Sequence, residues 1–131
     1  MAVALAARGL VETRFRSNGH DPRHGLDCVG VALASFRAAG VVGQAPAGYP
    51  LRGTSPGDVA ALVEAHPLRA AALPAEPGDL LLCDAGPAQS HFVVWTTNAF
   101  VHADAMLRRV VERPAPLPWR VIGHWRLPEE D

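Results

Sequence analysis

The spacing of hydrophobic residues changes between the two halves of the chain. In the first half it is helical: Val29, Leu33 and Phe36 lie at i, i+4 and i+7, as on a helix packed against a core. After Pro74 the apolar residues come in short runs rich in β-branched and aromatic side chains, which is typical of strands. Helices followed by strands predict an α+β domain with an antiparallel sheet.

Capping and turn residues set the bounds of these elements. We expect helices at residues 2–12, from Cys28 to near Gly40, and after the N-cap Ser55. Strands are predicted at 79–84, 91–97, 100–104, 109–112 and 119–127. Residues 13–26 and 43–53 are predicted loops, because Gly, Pro and Asn interrupt both. With no linker or repeat, residues 1–131 are predicted to form a single domain.

Composition excludes several classes of partner. The formal net charge is −1 and arginine is scattered, so we predict no binding to nucleic acid or to a membrane surface. No run approaches the roughly 20 apolar residues that span a bilayer. The N-terminal apolar run stops at Arg8 and lacks a basic region before it, so we expect synthesis in the cytoplasm without a signal peptide.

Cys28 stands at the predicted start of the apolar helix. Asp27 is a good N-cap, and the unpaired N–H groups of a first helical turn favour a thiolate. The alternative is a buried cysteine that packs as a small hydrophobe. We predict that role for Cys83, which lies among leucines. A disulfide between the two would remove the nucleophile and is disfavoured.

Two histidines are placed for chemistry with Cys28. His91 opens one predicted strand and His102 lies inside the next. If these strands form a hairpin, the two imidazoles face the same side. Cys28 would then attack a carbonyl, His91 would take its proton, and His102 would orient His91. Alternatively, His102 is a core residue and His91 a strand-end surface residue.

The other four histidines are weaker candidates. His20 and His24 share a four-residue rhythm with Cys28, but they lie in a predicted loop, so zinc ranks well below the triad. His66 and His124 are predicted to be surface residues. No metal and no cofactor is expected.

Four motifs in register resemble the NlpC family of cell-wall endopeptidases, which are papain-like cysteine peptidases. They are Asp27-Cys28-Val29-Gly30, Pro77-Gly78-Asp79-Leu80, His91-Phe92-Val93-Val94 and Val101-His102-Ala103. The resemblance implies a papain-like fold in which the catalytic cysteine begins a helix packed on an antiparallel sheet. It also implies that Cys28, His91 and His102 hydrolyse the peptidoglycan stem through a thioester, typically between D-γ-glutamate and the diamino acid.

The same resemblance assigns substrate-binding positions. These are Asp27, Val29, Phe15 and Ser90. The tract 100–112 and the loop before Asp27 are similar to a subgroup of phage-tail and gene-transfer-agent peptidases. That implies phage-like tail proteins as partners, besides the stem peptide, and delivery to the cell wall or periplasm on a tail-like particle.

Two departures from the family pattern leave alternatives open. The family has a serine where this chain has Val29, and a tyrosine where it has Phe15. A wall-docking or structural tail module whose site has decayed is therefore the main alternative. An acyltransferase or amidase acting on another acylated substrate is a third hypothesis.

Overall fold

Helices come first and most strands follow in the computed structural model, which describes residues 2–45, 55–87 and 89–128. The helices are α1 (Ala2–Gly9), α2 (Cys28–Arg37) and α3 (Pro56–Glu64). The strands are β1 (His20–Asp21), β2 (Gly25–Leu26), β3 (Arg69–Ala70), β4 (Leu80–Gly86), β5 (Gln89–Trp95), β6 (Ala99–Asp104), β7 (Arg109–Pro114) and β8 (Arg120–Arg126). Across these described ranges, no helix is long and apolar enough to cross a membrane.

Six strands form one antiparallel sheet in the order β3-β8-β4-β5-β6-β7. This confirms the predicted α+β class and each of the five predicted strands to within a few residues. The predicted loop at residues 13–26 was wrong in part, because β1 and β2 pair there through His20↔Leu26 and Asp21↔Gly25. Strands of two residues are too short to show an alternating pattern, and β3 escaped prediction for the same reason.

The sheet is buried on both faces. Leu80 and Leu82 of β4 join the larger core, to which α2 and α3 also contribute. Leu81 and Cys83 belong to a second cluster on the opposite face, with Phe100. Successive side chains of a strand point to opposite faces, so a strand covered on both sides is apolar throughout. Cys83 is fully buried and its thiol is free, as its surroundings in the sequence indicated.

Asp27 fixes the start of α2. Its Oδ1 accepts a hydrogen bond from the Gly30 N–H at 2.8 Å, and its Oδ2 accepts one from the Asn18 N–H at 3.1 Å. The predicted N-cap is therefore confirmed, and the carboxylate also ties the preceding loop to the helix. A Cβ at Gly30 would collide with the Gly19 carbonyl oxygen, so this close approach requires glycine. Together these contacts hold Cys28 at the first helical position.

A buried ionic cluster lies at the other end of β4. The Asp79 carboxylate accepts hydrogen bonds from Arg126 Nε and Nη2, both at 2.8 Å, and from the Glu76 N–H at 2.9 Å. It also lies 2.6 Å from Nε2 of His124, which is buried. The prediction that His124 is a surface residue was wrong. The alternation of apolar and polar residues in β8 places His124 on the face opposite its apolar neighbours, which suggested exposure to solvent. In the structure, the sheet is covered on both faces at that point.

Candidate active site

Cys28 and the two predicted histidines line one cleft. Strands β5 and β6 pair only at Val94↔Val101 and Trp95↔Phe100, and the cleft opens where they separate. Besides the three predicted catalytic residues, its lining comprises Phe15, Ser17, Asn18, Asp27, Ala85, Gln89, Ser90, Ala103, Asp104, Ala105, Met106, Arg113 and Trp119. The cleft therefore lies where the start of α2 meets the loop before Asp27 and the separated ends of β5 and β6.

His91 and His102 form a hydrogen-bonded pair. Nε2 of His91 lies 2.9 Å from Nδ1 of His102, and the rings stand edge to face with centroids 5.0 Å apart. This geometry confirms that the two imidazoles lie on one side of the β5–β6 hairpin. Trp119 contacts both rings edge-on, at 5.2 Å from His91 and 5.4 Å from His102. The indole shields the pair from solvent on that face.

The hydrogen bond leaves one nitrogen of His91 for chemistry. To accept a proton, Nδ1 of His91 must be unprotonated, so its Nε2–H must donate to His102 Nδ1. His102 then carries its own proton on Nε2. That nitrogen is buried and has no hydrogen-bond partner among the described residues. Its remaining surroundings are aromatic, since the His102 ring also lies 5.5 Å from that of Phe100.

Burial keeps the cysteine and both histidines uncharged. Desolvation raises the pKa of Cys28 to about 12, lowers that of His91 to about 3 and lowers that of His102 to about 4. The backbone N–H groups of Phe92, Cys28 and Val29 bind the Cys28 sulfur and oppose the shift, but burial is the larger effect. The helix start therefore favours a thiolate, as expected, but burial opposes it more strongly.

The thiol lies beside the backbone that carries His91. Its sulfur is within hydrogen-bonding reach of the N–H of Phe92, the residue directly after His91. Within the described part of the chain, no hydrogen bond joins the sulfur to either imidazole. The site therefore combines a neutral thiol, a neutral base and an orienting partner, and proton transfer must accompany attack.

The four predicted substrate-binding positions divide between two cavities. Phe15, Asp27 and Ser90 line the cleft, and Ser90 is almost fully buried. Val29 instead lines a separate apolar cavity of about 70 Å³ between α2 and α3, together with Leu33. In an α-helix, each side chain is rotated by about 100° around the helix axis from the one before it. The residue after Cys28 therefore points toward the core.

The structure adds cleft residues that the sequence analysis did not single out. Arg113, Asp104, Met106 and Trp119 all face this space. The β6–β7 register, in which His102 pairs with Val111 and Phe100 with Arg113, brings in the arginine. Cross-strand register depends on turn geometry, and the sequence offered no separate signal for it.

The zinc hypothesis finds no set of ligands. Among residues 2–45, 55–87 and 89–128, no three His, Cys, Asp or Glu side chains are placed to hold one ion. His20 pairs with Leu26 across β1 and β2, and His24 is exposed in the turn between these two strands. His66, predicted to be a surface residue, is half-buried and accepts a hydrogen bond from the Gln44 N–H at Nε2.

Comparisons with solved structures identify the fold. The chain superposes on NlpC1 from Trichomonas vaginalis with a TM-score of 0.67 at 15% identity, covering 95% of this chain and 43% of that one. A Staphylococcus aureus protein described as similar to lipoprotein, NLP/P60 family, gives a TM-score of 0.63 at 18% identity, with coverages of 98% and 41%. The fold is that of NlpC/P60 proteins. The chain spans less than half the length of these two NlpC/P60 structures.

Comparisons at the level of sequence found no counterpart. No family model matches the chain, and no curated protein does. The relationship to NlpC/P60 proteins is therefore a shared fold at low sequence identity.

Proposed function

We propose that this protein is a cysteine endopeptidase that cleaves stem peptides of peptidoglycan, at a bond of the D-γ-glutamyl–diamino acid type. One observation carries the proposal: Cys28, at a capped helix start, shares a cleft with a hydrogen-bonded His91–His102 pair. A sulfur nucleophile, a base and a group that orients the base are the parts of a nucleophilic triad. The NlpC/P60 fold supports the choice of substrate.

The reaction begins with attack by the Cys28 sulfur on the carbonyl carbon of the scissile amide. The thiol proton passes to Nδ1 of His91 as the sulfur–carbon bond forms, and the carbonyl becomes a tetrahedral oxyanion. The N–H groups of Cys28 and Val29, which bind the free thiol, turn to the oxyanion once the sulfur is bonded to carbon and stabilise that charge. Since both reacting groups are neutral beforehand, charge develops only in the transition state, where these donors act.

Breakdown of the oxyanion releases the amine and leaves a thioester. The C–N bond breaks, and the leaving nitrogen takes the proton from His91 Nδ1. A water molecule then gives a proton to Nδ1 of His91 while the water oxygen attacks the carbonyl carbon of the thioester. Collapse of the second tetrahedral intermediate releases the carboxylic acid, and the proton returns to the Cys28 sulfur. His102 holds the His91 ring through both halves.

Digestion of purified peptidoglycan tests the proposal. The wild-type protein is expected to release stem fragments with new amino termini, read by liquid chromatography and mass spectrometry. Cys28→Ala should release none, while Cys83→Ala, which alters the other buried thiol, should retain activity. Equal release by wild type and Cys28→Ala, or none by wild type, would refute the proposal.

A wall-docking module is the second candidate. The neutral, buried Cys28 thiol favours it, since a docking module needs no activated nucleophile. It predicts that the protein sediments with insoluble peptidoglycan without altering it. Association with phage-like tail proteins, and delivery to the wall on a tail-like particle, remain proposals supported by the sequence tracts noted above. Co-purification with tail particles would test them.

A further inference from the structure

Arg113 is an exposed cation on the wall of the cleft. In the β6–β7 register it pairs with Phe100, two residues from the His102–Val111 pair. Alternate residues of a strand share a face, so the Arg113 side chain lies on the same face as Phe100 and His102. Arg113 therefore lines the cleft from the sheet side.

Two aromatic rings hold this guanidinium in place. Its central carbon lies 5.6 Å from the centroid of Phe100 and 5.9 Å from that of Trp119. Cation–π contacts of this kind restrict the side chain while leaving its N–H groups free to donate in the guanidinium plane. Arg113 is thus arranged as a fork of donors beside the catalytic pair.

The nearby carboxylates accept hydrogen bonds from other groups, although Asp104 lies close enough for the Arg113 charge to lower its pKa. Oδ1 of Asp104 accepts hydrogen bonds from the N–H groups of Met106 and Leu107, both at 2.9 Å. Glu112 accepts a hydrogen bond from Thr96 and pairs with Arg8. In the described ranges, Arg113 itself has neither an ion pair nor a hydrogen bond. An arginine buttressed by two rings, whose N–H groups face a cleft and make no hydrogen bond among the described residues, has the geometry of a carboxylate receptor.

We infer that Arg113 binds a free carboxylate of the peptide substrate, and that this contact selects an acidic residue beside the scissile bond. The inference rests on the proposed function and deepens it. A glutamyl residue linked through its γ-carbonyl keeps its α-carboxylate free, which suits the arginine. The same residue with its α-carboxylate amidated offers Arg113 no anion.

Matched substrates test the inference. L-alanyl-γ-D-glutamyl-meso-diaminopimelate and its D-isoglutaminyl counterpart differ only at that α-carboxylate. We expect the wild-type kcat/KM to be about 10- to 100-fold higher for the acid, mainly through KM, as for a hydrogen-bonded charge pair. Arg113→Gln should remove the preference by lowering only the value for the acid, and Arg113→Lys should retain part of it. Arg37→Gln, at an exposed arginine on α2, is the control.

Binding separates this inference from the proposed activity. Calorimetric titration of Cys28→Ala with L-alanyl-γ-D-glutamate and with L-alanyl-D-isoglutamine should show the same preference for the acid, lost in Cys28→Ala/Arg113→Gln. If wild type cleaves neither substrate but this binding preference appears, the proposed function fails and the Arg113 inference stands. Equal binding of the two dipeptides, or equal losses for both substrates in Arg113→Gln, would overturn it.

Discussion

The molecule contains two histidine clusters and pairs them differently. His124 lies 2.6 Å from the Asp79 carboxylate, which Arg126 also binds through two nitrogens. His91 has only His102, at 2.9 Å, and no carboxylate is bonded to either ring among the described residues. In the first cluster, the negative charge of Asp79 is balanced by the positive charge of Arg126. The second remains neutral and opens onto the cleft that holds Cys28.

Under the proposed function, the difference separates a structural cluster from a chemical one. A buried carboxylate with a guanidinium and an imidazole is stable only while all its partners are present, so it rigidifies the strands that carry it. A neutral imidazole pair has no charge to compensate, and it leaves one nitrogen of His91 available for proton transfer. Loss of a residue from the first cluster should therefore reduce stability, and loss of a residue from the second should reduce turnover.

The largest expected effect is at His91. His91→Ala should lower kcat by about 10³-fold or more, because the general base and its oriented nitrogen are lost together. The midpoint of urea unfolding should change little, because His91 is neutral and its removal leaves no buried charge without a partner. Turnover of a defined stem peptide and an unfolding curve on the same sample check both parts. An unfolded His91→Ala, or one with normal kcat, would erase the contrast between the clusters.

Asp79→Asn should give the largest loss of stability. The variant removes the buried carboxylate that Arg126 and His124 share, although Arg126 is partly exposed and keeps its ion pair with Glu76. Removing one partner of a buried pair costs about 3–5 kcal/mol, and we expect a loss toward the lower end of that range. Asp84→Asn is the matched control on the same two strands, because the exposed Asp84–Arg120 pair should contribute less than about 1 kcal/mol. Equal free energies of unfolding for the two variants would contradict the assignment.

His102→Ala should reduce kcat by about 100-fold and leave KM nearly unchanged, since His102 orients His91 without touching substrate. His102→Asn retains a group that can hydrogen-bond Nε2 of His91 and should recover part of the loss. Steady-state kinetics with one stem peptide measures both. Rescue by Asn distinguishes orientation from packing, because a packing defect would also appear as a lower unfolding midpoint in both variants.

The two clusters should respond differently to pH. The pKa values of His91 and His102 are lowered, so between about pH 6.5 and pH 4 the unfolded chain binds protons that the folded protein does not. Stability should therefore fall with decreasing pH in this window, by about 1.4 kcal/mol per pH unit for each excluded proton. His91→Gln/His102→Gln should flatten this dependence, as measured by urea unfolding across the range.

The Asp79 cluster should act at lower pH. Its hydrogen bonds to Arg126, Glu76 and His124 outweigh burial and lower the Asp79 pKa below its usual value. Its contribution is present above the unfolded-state pKa near 3.9 and is lost as pH falls through the lower folded value. Asp79→Asn should lack that final acid-dependent loss. A variant with an unchanged acid limb would argue against the ionic pairing.

The proximity of the candidate site residues could be predicted from the sequence because local pattern places them. The Asp27–Cys28 cap and the His91–His102 hairpin each depend on short-range spacing, and the structure confirms the cap and the histidine pair. The protonation state could not be predicted, since it depends on how far Cys28, which is buried, and His91, which is half-buried, are shielded from water. That burial comes from the packing of α2 against distant strands, which no local motif encodes.

Long-range register explains the residues that escaped prediction. Arg113 joins the site because β7 pairs with β6, and Trp119 because the segment before β8 folds over the two histidines. His124 looked like a surface residue because alternation identifies opposite faces but not which of them is covered. A sheet covered on both sides makes that inference fail.

Trapping the acyl-enzyme tests the central claim, that Cys28 is the nucleophile served by His91 and His102. The wild-type protein would be mixed with a stem peptide, quenched in acid within milliseconds to seconds, and digested for mass spectrometry. We predict an adduct with the mass of the acyl portion on the peptide containing Cys28, absent in Cys28→Ala and slower to form in His91→Ala. Turnover with no adduct on Cys28, or an adduct on another residue, would contradict the account.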